Sequence, residues 1–388
     1  MTLIQPQHKG GAFKGPAKAI LIIEDICWFE RAHMGCKVML LGLLLFLSGC
    51  VGLGPDRIEG ERTNYNTAIQ RTNDEQLLLN LVRLKYRDTP FFMEVSSVAT
   101  QFSFTTLANA NATVPEVGFS IFGFGTGAVL EEKPTVTYSP LQGDKFIQRV
   151  LSPISLQTVA LLYHSGWRVD RLFRLCFQRL NKVKNAHNAS GPTPTRAPEF
   201  ADYKRAVKIL SEFWERDLME LEYRLKNEVP SLVIQFDESV LNSVDLQELS
   251  RLLGAKPVQG RYLLGAVDHP KFIRIQTRSL LGIMYYLSHG VEVPERDVKN
   301  GKVTVTHDEE GNVFDWSRFT EDLMRIQSKG ELIRESTAVA VRYRGTWFYI
   351  DDSDLNSKST FSLLAQIFSL QAGGVPTTAP LLTLPIGR

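Results

Sequence analysis

Nucleophiles, carboxylates and imidazoles do chemistry only when the chain brings them close together, and this 388-residue sequence holds few such sets. The densest run of carboxylates is Asp351-Asp352-Ser353-Asp354-Leu355-Asn356. From Asp352 it reads D-x-D-x-N, the opening of a calcium loop in which alternate oxygens converge on the ion. The match then fails, because Ser357 stands at the sharp-turn glycine and Leu363 at the bidentate glutamate. A strand end followed by a helix capped by Asp354 or Ser357 accounts for the same letters. Paired carboxylates can also hydrolyse a glycan without any linear motif, so Asp351, Asp352 and Asp354 remain candidates for that chemistry. His164, His187, His269, His289 and His307 are isolated from one another, and no zinc is expected. His289 falls at the end of a helix, where positive charge is favoured. Gly123, Gly125 and Gly127 imitate a phosphate-binding turn, but strand-like Thr135-Val136-Thr137-Tyr138 follows instead of a helix. No G-x-S-x-G, S-x-x-K or Walker A motif occurs, so no catalytic residue, metal or cofactor is expected. One nucleophile does have a telling context. Cys50 follows two small residues, Ser48 and Gly49, at the end of the apolar run Val38–Leu47. Small neighbours open the backbone to a peptidase, and a thiol attacks readily even as a small thiolate fraction.

Leu47-Ser48-Gly49-Cys50 resembles the lipobox of bacterial lipoproteins. The resemblance implies cleavage between Gly49 and Cys50 and a diacylglycerol on the Cys50 sulfur. The apolar run fits, since ten residues at ~1.5 Å each cover ~15 Å, half a bilayer core, the length of a signal-peptide h-region. Met34-Gly35-Cys36-Lys37 supplies the n-region, so residues 34–49 are expected to be the signal peptide and 1–33 an upstream extension from a mis-assigned start. Val51 rather than Asp follows Cys50, which in the sorting systems of Gram-negative lipoproteins implies transfer to the outer membrane. Each buried acyl methylene contributes ~0.8 kcal/mol, so an acylated terminus is a lasting attachment.

The chain carries 44 Lys+Arg and 42 Asp+Glu; without the five basic and three acidic residues of 1–49, the remainder has 39 of each. This balance argues against nucleic acid as a partner. Of Cys27, Cys36, Cys50 and Cys176, only Cys176 would remain as a thiol after processing, on the apolar stripe of a helix, so no disulfide is expected.

The periodicity predicts an α+β fold: a helical N-terminal half with a β-hairpin or meander insertion, then a mixed sheet-and-helix domain. Residues 50–62, with Gly52, Gly54, Pro55 and Gly60, read as a lipidated tether. A helical domain is expected over 63–184, its first helix opened by a Thr72/Glu75 capping box and interrupted by a β insertion at 95–139. The period stays helical from Asp144 to Lys184, with Leu172, Phe173, Cys176, Phe177, Leu180 and Val183 as one stripe. Residues 185–199 read as a linker and 200–372 as an α+β domain that opens with one long helix, Phe200–Lys226. Strands are predicted at Leu232–Phe236, Tyr262–Ala266 and Phe272–Gln276, and helices at Asp245–Leu253, Arg278–His289 and Thr360–Gln371. A hairpin joins Ala338–Tyr343 to Thr346–Ile350 through Arg344-Gly345. Residues 373–388 are a Pro-rich tail.

Within 95–139, Val98, Thr100, Phe102, Phe104 and Thr106 alternate with more polar positions, a pattern of the length that crosses an outer membrane when tilted. The alternation slips between Ile121 and Phe122, and Asn109–Glu116 is the expected tip. Three readings stay open: a hairpin that each subunit of an oligomer donates to a barrel, a soluble meander packed on the helices, or a flexible Gly-rich loop. Arg342, Arg344 and Trp347 crowd the C-terminal hairpin in a composition common at binding hot spots. Arginines snorkelling over an ordinary sheet face explain the same residues.

Two stretches resemble a family of uncharacterised bacterial outer-membrane lipoproteins: Thr63 to Phe92, continued at Pro134 to Phe146, and Ala340 to Gly373. The resemblance implies an extracytoplasmic, periplasm-facing location and one family unit across the mature chain. The expected function is a non-enzymatic structural or assembly role, with the membrane, envelope proteins or further copies as partners. The alternative is an envelope hydrolase.

Overall fold

Proline needs no amide donor at the first turn of a helix, and Pro55 begins the longest helix of the described residues, α1 (Pro55–Lys85). The computed structural model describes residues 55–113, 121–266, 271–320, 322–331 and 336–372. The expected signal peptide, Cys50 and the tail therefore lie outside the described residues. The chain divides into two units inside α1, at Ala68/Ile69; of the first, only 55–68 are described, all helical. The expected tether is thus helical from Pro55, and the expected capping box is mid-helix. Thr72 Oγ1 donates to the Ile69 carbonyl at 3.0 Å, while Glu75 pairs with Arg71 at 3.0 Å. A threonine that bonds back to its own helix mimics a start signal without starting anything. Leu77, Leu78, Leu81, Val82 and Leu84 bury one side of α1, and Arg87 in a left-handed turn (φ 63°) ends it.

Next come two long strands, β1 (Met93–Thr113) and β2 (Ile121–Pro140), which pair antiparallel and form a two-stranded sheet of their own. Three short helices follow: α2 (Asp144–Leu151), α3 (Leu156–His164) and α4 (Val169–Cys176). The predicted continuation of helix to Lys184 is wrong. Residues 177–184 instead form β3 (Phe177–Leu180) and β4 (Val183–Lys184). The cause lies about a hundred residues away. Arg278, 0% exposed, donates to the carbonyls of Arg174 at 2.7 Å, Leu175 at 3.2 Å, Phe177 at 2.8 Å and Asn185. Asn185 Nδ2 adds bonds to the carbonyls of Arg174 and Phe177 at 2.8 and 2.7 Å. Carbonyls held this way are no longer acceptors for a further turn, so the helix stops at Cys176. Cys176 is fully buried, as its place on the stripe implied, and burial pushes its thiol up to about 12.

The predicted helix Phe200–Lys226 also splits, into α5 (Ala201–Glu215) and β5 (Met219–Lys226). Asp217 takes a left-handed φ of 59°, and Asn227 and Glu228 (φ 50° and 63°) make the tight turn into β6 (Val229–Phe236). Beyond lie α6 (Val244–Leu253), capped by Gly254 at φ 64°, then β7 (Arg261–Gly265), β8 (Phe272–Thr277), α7 (Leu280–Ser288), α8 (Glu295–Lys299) and α9 (Ser317–Thr320). The chain ends its described part with β9 (Gln327–Lys329), β10 (Thr337–Tyr343), β11 (Thr346–Asp351) and α10 (Leu355–Ala372).

The strand order is β4-β3-β8-β7-β6-β5 in one sheet and β10-β11-β9 in another, so the fold is α+β. Because β3 pairs with β8, the sheet runs through both of the predicted domains. From Ile69 onward the chain is one compact unit, and 185–199 is no linker within it. Asn185, Ala186, Ala189 and Thr193 are buried, and the Ala186 amide reaches the Glu199 carbonyl at 2.8 Å. Proline and glycine there mark irregular backbone, not exposure. Among the aliphatic core residues sit fully buried aromatics: Phe173, Phe177, Tyr203, Phe213, Phe236 and Tyr286 are each under 2% exposed.

Candidate functional site

The residues singled out from the sequence fare differently. Gly49 and Cys50 are outside the described residues. Arg342 and Trp347 face each other across β10 and β11, Arg342 exposed and Trp347 half-buried. Arg344 is committed elsewhere. It occupies the turn with φ 48°, and its guanidinium lies 2.9 Å from Asp88 and 5.0 Å from the Tyr86 ring centroid. Tyr343 donates to the same Asp88 carboxylate, so the turn is latched to the end of α1. The predicted surface thus keeps Arg342 and Trp347 together, while Arg344 holds the hairpin in place.

Each aspartate of the C-terminal cluster has a local task. Asp351 accepts from Ser353 N at 2.9 Å and Oγ at 2.5 Å, bonds that hold its carboxyl below the usual range. Asp354 caps α10 by accepting from Ser357 N and Oγ at 3.0 and 2.6 Å. Asp352 pairs with Lys358 at 2.6 Å. A general acid needs a carboxyl raised toward neutrality, and Asp351 is shifted the other way. Among the described residues, no group of three or more His, Cys, Asp or Glu could hold a metal.

A cleft of about 770 Å³ lies where the end of α1 meets α7 and the 303–317 segment. Val291, Val303, Val305 and Val313 line its apolar wall, with Trp316 and Lys85. Lys85 is 7% exposed, and burial pushes its ammonium down to about 8. Its Nζ stands 6.0 Å from the Trp316 ring centroid. His289 stacks on Trp316 at 3.9 Å with the planes 9° apart, and its Nε2 lies 3.2 Å from the Ala189 carbonyl. Its Nδ1 is buried without a partner. Burial, and then the charge of Lys85, push His289 well below the usual imidazole range. The imidazole is therefore neutral, contrary to the helix-end charge expected from the sequence. An apolar wall with one weakly basic amine can hold an extended hydrophobic group that ends in a carboxylate or carbonyl. Lys85 escaped the sequence reading although a signal existed: with Leu78, Leu81 and Val82 it falls on one helical face, so a cation stood on the buried stripe.

The long hairpin is held at its base by two amides of α1. Asn80 Nδ2 donates to the Phe91 carbonyl at 2.8 Å and its Oδ1 accepts from Phe91 N at 2.9 Å. Gln76 repeats this on Met93 at 2.9 and 2.7 Å. Residues 91 and 93 therefore meet a side-chain copy of a strand edge, spaced by one helical turn. Leu141 N closes the base on the Phe92 carbonyl at 3.0 Å. Beyond it, register slips once, between Val95 and Ser97, and then runs unbroken from Ser97↔Thr137 to Thr113↔Ile121. The expected tip at Asn109–Glu116 is displaced, since strand pairing continues through Thr113. The expected packing of a meander on the helices falls on side chains outside the described residues. No helix of the described residues is long and apolar enough to cross a membrane.

No protein-family model, curated protein or solved structure matches this chain.

Proposed function

We propose that this chain is a lipid-anchored protein of the bacterial envelope, acylated on Cys50 and facing the periplasm from the outer membrane. There it serves as a structural or assembly component through protein contacts. The observation that carries the reading is the Leu47-Ser48-Gly49-Cys50 tetrad directly after Val38–Leu47, with Val51 behind it. Two features of the described residues support a contact role over a catalytic one. The three candidate carboxylates are spent on a turn, an ion pair and a helix cap. The β1–β2 hairpin, by contrast, presents long strands with no partner but each other.

The test is metabolic labelling with an alkyne fatty acid, followed by separation of inner and outer membranes. The chain is expected to take up label and band with outer membrane, and Cys50→Ala to lose both. Equal labelling of Cys50→Ala, or an unlabelled chain in the soluble fraction, overturns the proposal.

A further inference from the structure

Sequence alone leaves the face pattern of the hairpin ambiguous; the register removes the ambiguity. From residue 97 upward the paired residue numbers always add to an even total, as in Phe104↔Leu130 and Ala110↔Phe124. Positions of equal parity on β1 and β2 therefore share a face. Even positions include Phe104, Phe122, Phe124 and Leu130, with alanine at 108, 110, 112 and 128. Odd positions are Thr105, Leu107, Asn109, Asn111 and Thr113 on β1, opposite Val129, Gly127, Gly125, Gly123 and Ile121 on β2, so glycines face Leu107 and the two asparagines. One face is apolar, the other mostly small and polar. The slip at Ile121 and Phe122 vanishes, because the two simply belong to different faces.

Charge is distributed just as unevenly along the strands. Phe104–Thr113 pairs with Ile121–Leu130, ten residues on each strand, and neither segment holds a charged residue or a proline. Glu131, Glu132 and Lys133 follow immediately on β2, and Glu116 lies in the connection between the strands. Ten residues at ~3.3 Å make ~33 Å of strand, which at a tilt of ~40° rises ~25 Å, the height of the apolar band of an outer-membrane barrel. Exposed strand edges in water are guarded by charges and prolines. Here both guards, Lys133 and Pro134 among them, stand below the band and none within it.

We propose that this distal half is a transmembrane element: hairpins from several copies of the chain pair edge to edge and close a barrel in the outer membrane. The proposal rests on the envelope location proposed above. Copies are the occupant because the other described strands are committed to the three- and six-stranded sheets. A two-stranded sheet offers β1 at one edge and β2 at the other, so β2 of one copy pairs antiparallel with β1 of the next. Such head-to-tail contacts close into a ring. A barrel of about eight strands or more then needs at least about four copies. Lipid meets the even face and the lumen meets the odd one.

The experiment uses the full mature chain, extracted from membranes in detergent, sized by light scattering and reconstituted into planar bilayers of phosphatidylcholine and phosphatidylglycerol. The chain is expected to form particles of about four or more copies with discrete conductance steps. Ala110→Arg, at mid-band on the lipid face, is expected to cut channel activity about tenfold or more. Asn111→Arg, one residue along on the lumen face, is expected to keep particle size and shift permeability toward anions. Circular dichroism of both variants checks the body, which lies outside the band. A monomer in detergent, a bilayer without conductance, or equal loss from both arginines overturns the barrel. Acyl labelling on Cys50 of the same preparations separates the two proposals. A labelled chain that stays monomeric defeats only the barrel, and an unlabelled chain that still conducts defeats only the anchor.

Discussion

The body built on Arg278 and the hairpin built on Asn80 and Gln76 solve the same problem in opposite ways. Every strand edge and helix end must find hydrogen-bond partners. In the body the central strands and the end of α4 find them inside. The buried Arg278 guanidinium serves four carbonyls and Ser190 Oγ, and lies 3.9 Å from the Tyr286 ring centroid. The hairpin closes its base on α1 with equal care, yet its outer edges run on for about twenty residues beside no other strand. In the barrel proposed above, it is further copies of the chain that complete this open region.

The sharpest way to break this contrast is Arg278→Met. It removes the donor of four buried carbonyls, and because Arg278 is wholly buried the loss has no solvent to soften it. We expect about 3–5 kcal/mol less stability in urea unfolding, with the hairpin's own pairing untouched. A loss under about 1 kcal/mol would mean the body is not organised around this residue.

Lys85→Met should act in the opposite direction. Lys85 is almost fully buried with its ammonium lowered to about 8 from an ordinary 10.5, so the folded chain holds a proton there less tightly than the unfolded one. The charged form is disfavoured by folding; removing it should stabilise the chain at pH 7 by about 2–3 kcal/mol. Between pH 8 and 10 the unfolded chain binds more protons at this site, so wild-type stability should rise with pH and that of Lys85→Met should not. Above pH 10 the trend reverses, since burial raises Tyr86 and Tyr203 and the folded state resists their ionisation. A methionine variant no more stable than wild type would show that Lys85 has a partner in the cleft.

How legible each region was follows from how local its causes are. The β6, β7 and β8 strands, α6 with Gly254, and the Arg344-Gly345 turn are set by neighbours within a few residues, and the periodicity places them within a few positions. β3 was not legible, because Leu172–Val183 is a good helical stripe until Arg278 takes the carbonyls. β5 was ambiguous in itself: Leu218, Leu221 and Leu225 suit a helix, whereas Met219 and Leu221 buried beside exposed Glu220 and Glu222 suit a strand. The register with β6 decides for the strand. The cleft depends on His289 and Trp316 meeting Lys85 from distant segments, so only the misplaced cation was there to be read. The predicted hot-spot residues were legible as a cluster, but not as a latch, because Asp88 lies 256 residues before Arg344.

Asn80→Ala tests the hinge between the two regions. Losing the amide leaves Phe91 N and the Phe91 carbonyl without their partner in a half-buried place, which should cost about 1–2 kcal/mol. Amide exchange at Phe91 and Met93 should quicken, while exchange around Arg278 should not.

The smallest effect expected is also the most discriminating. Replacing residues 97–137 by a two-residue Asn-Gly turn removes 41 positions, yet the hydrogen bonds that close the base, at Phe91, Phe92, Met93 and Leu141, remain. If stability of the body is internal, the free energy of unfolding should change by no more than about 0.5 kcal/mol. What should change is association: a chain whose open edges lie in the removed segment has lost the means to pair with its copies. A trimmed chain that unfolds much earlier would place the hairpin in the body's own structure. One that keeps its oligomeric size would move the contact between copies to the globular surface, where Arg342 and Trp347 are the first residues to replace.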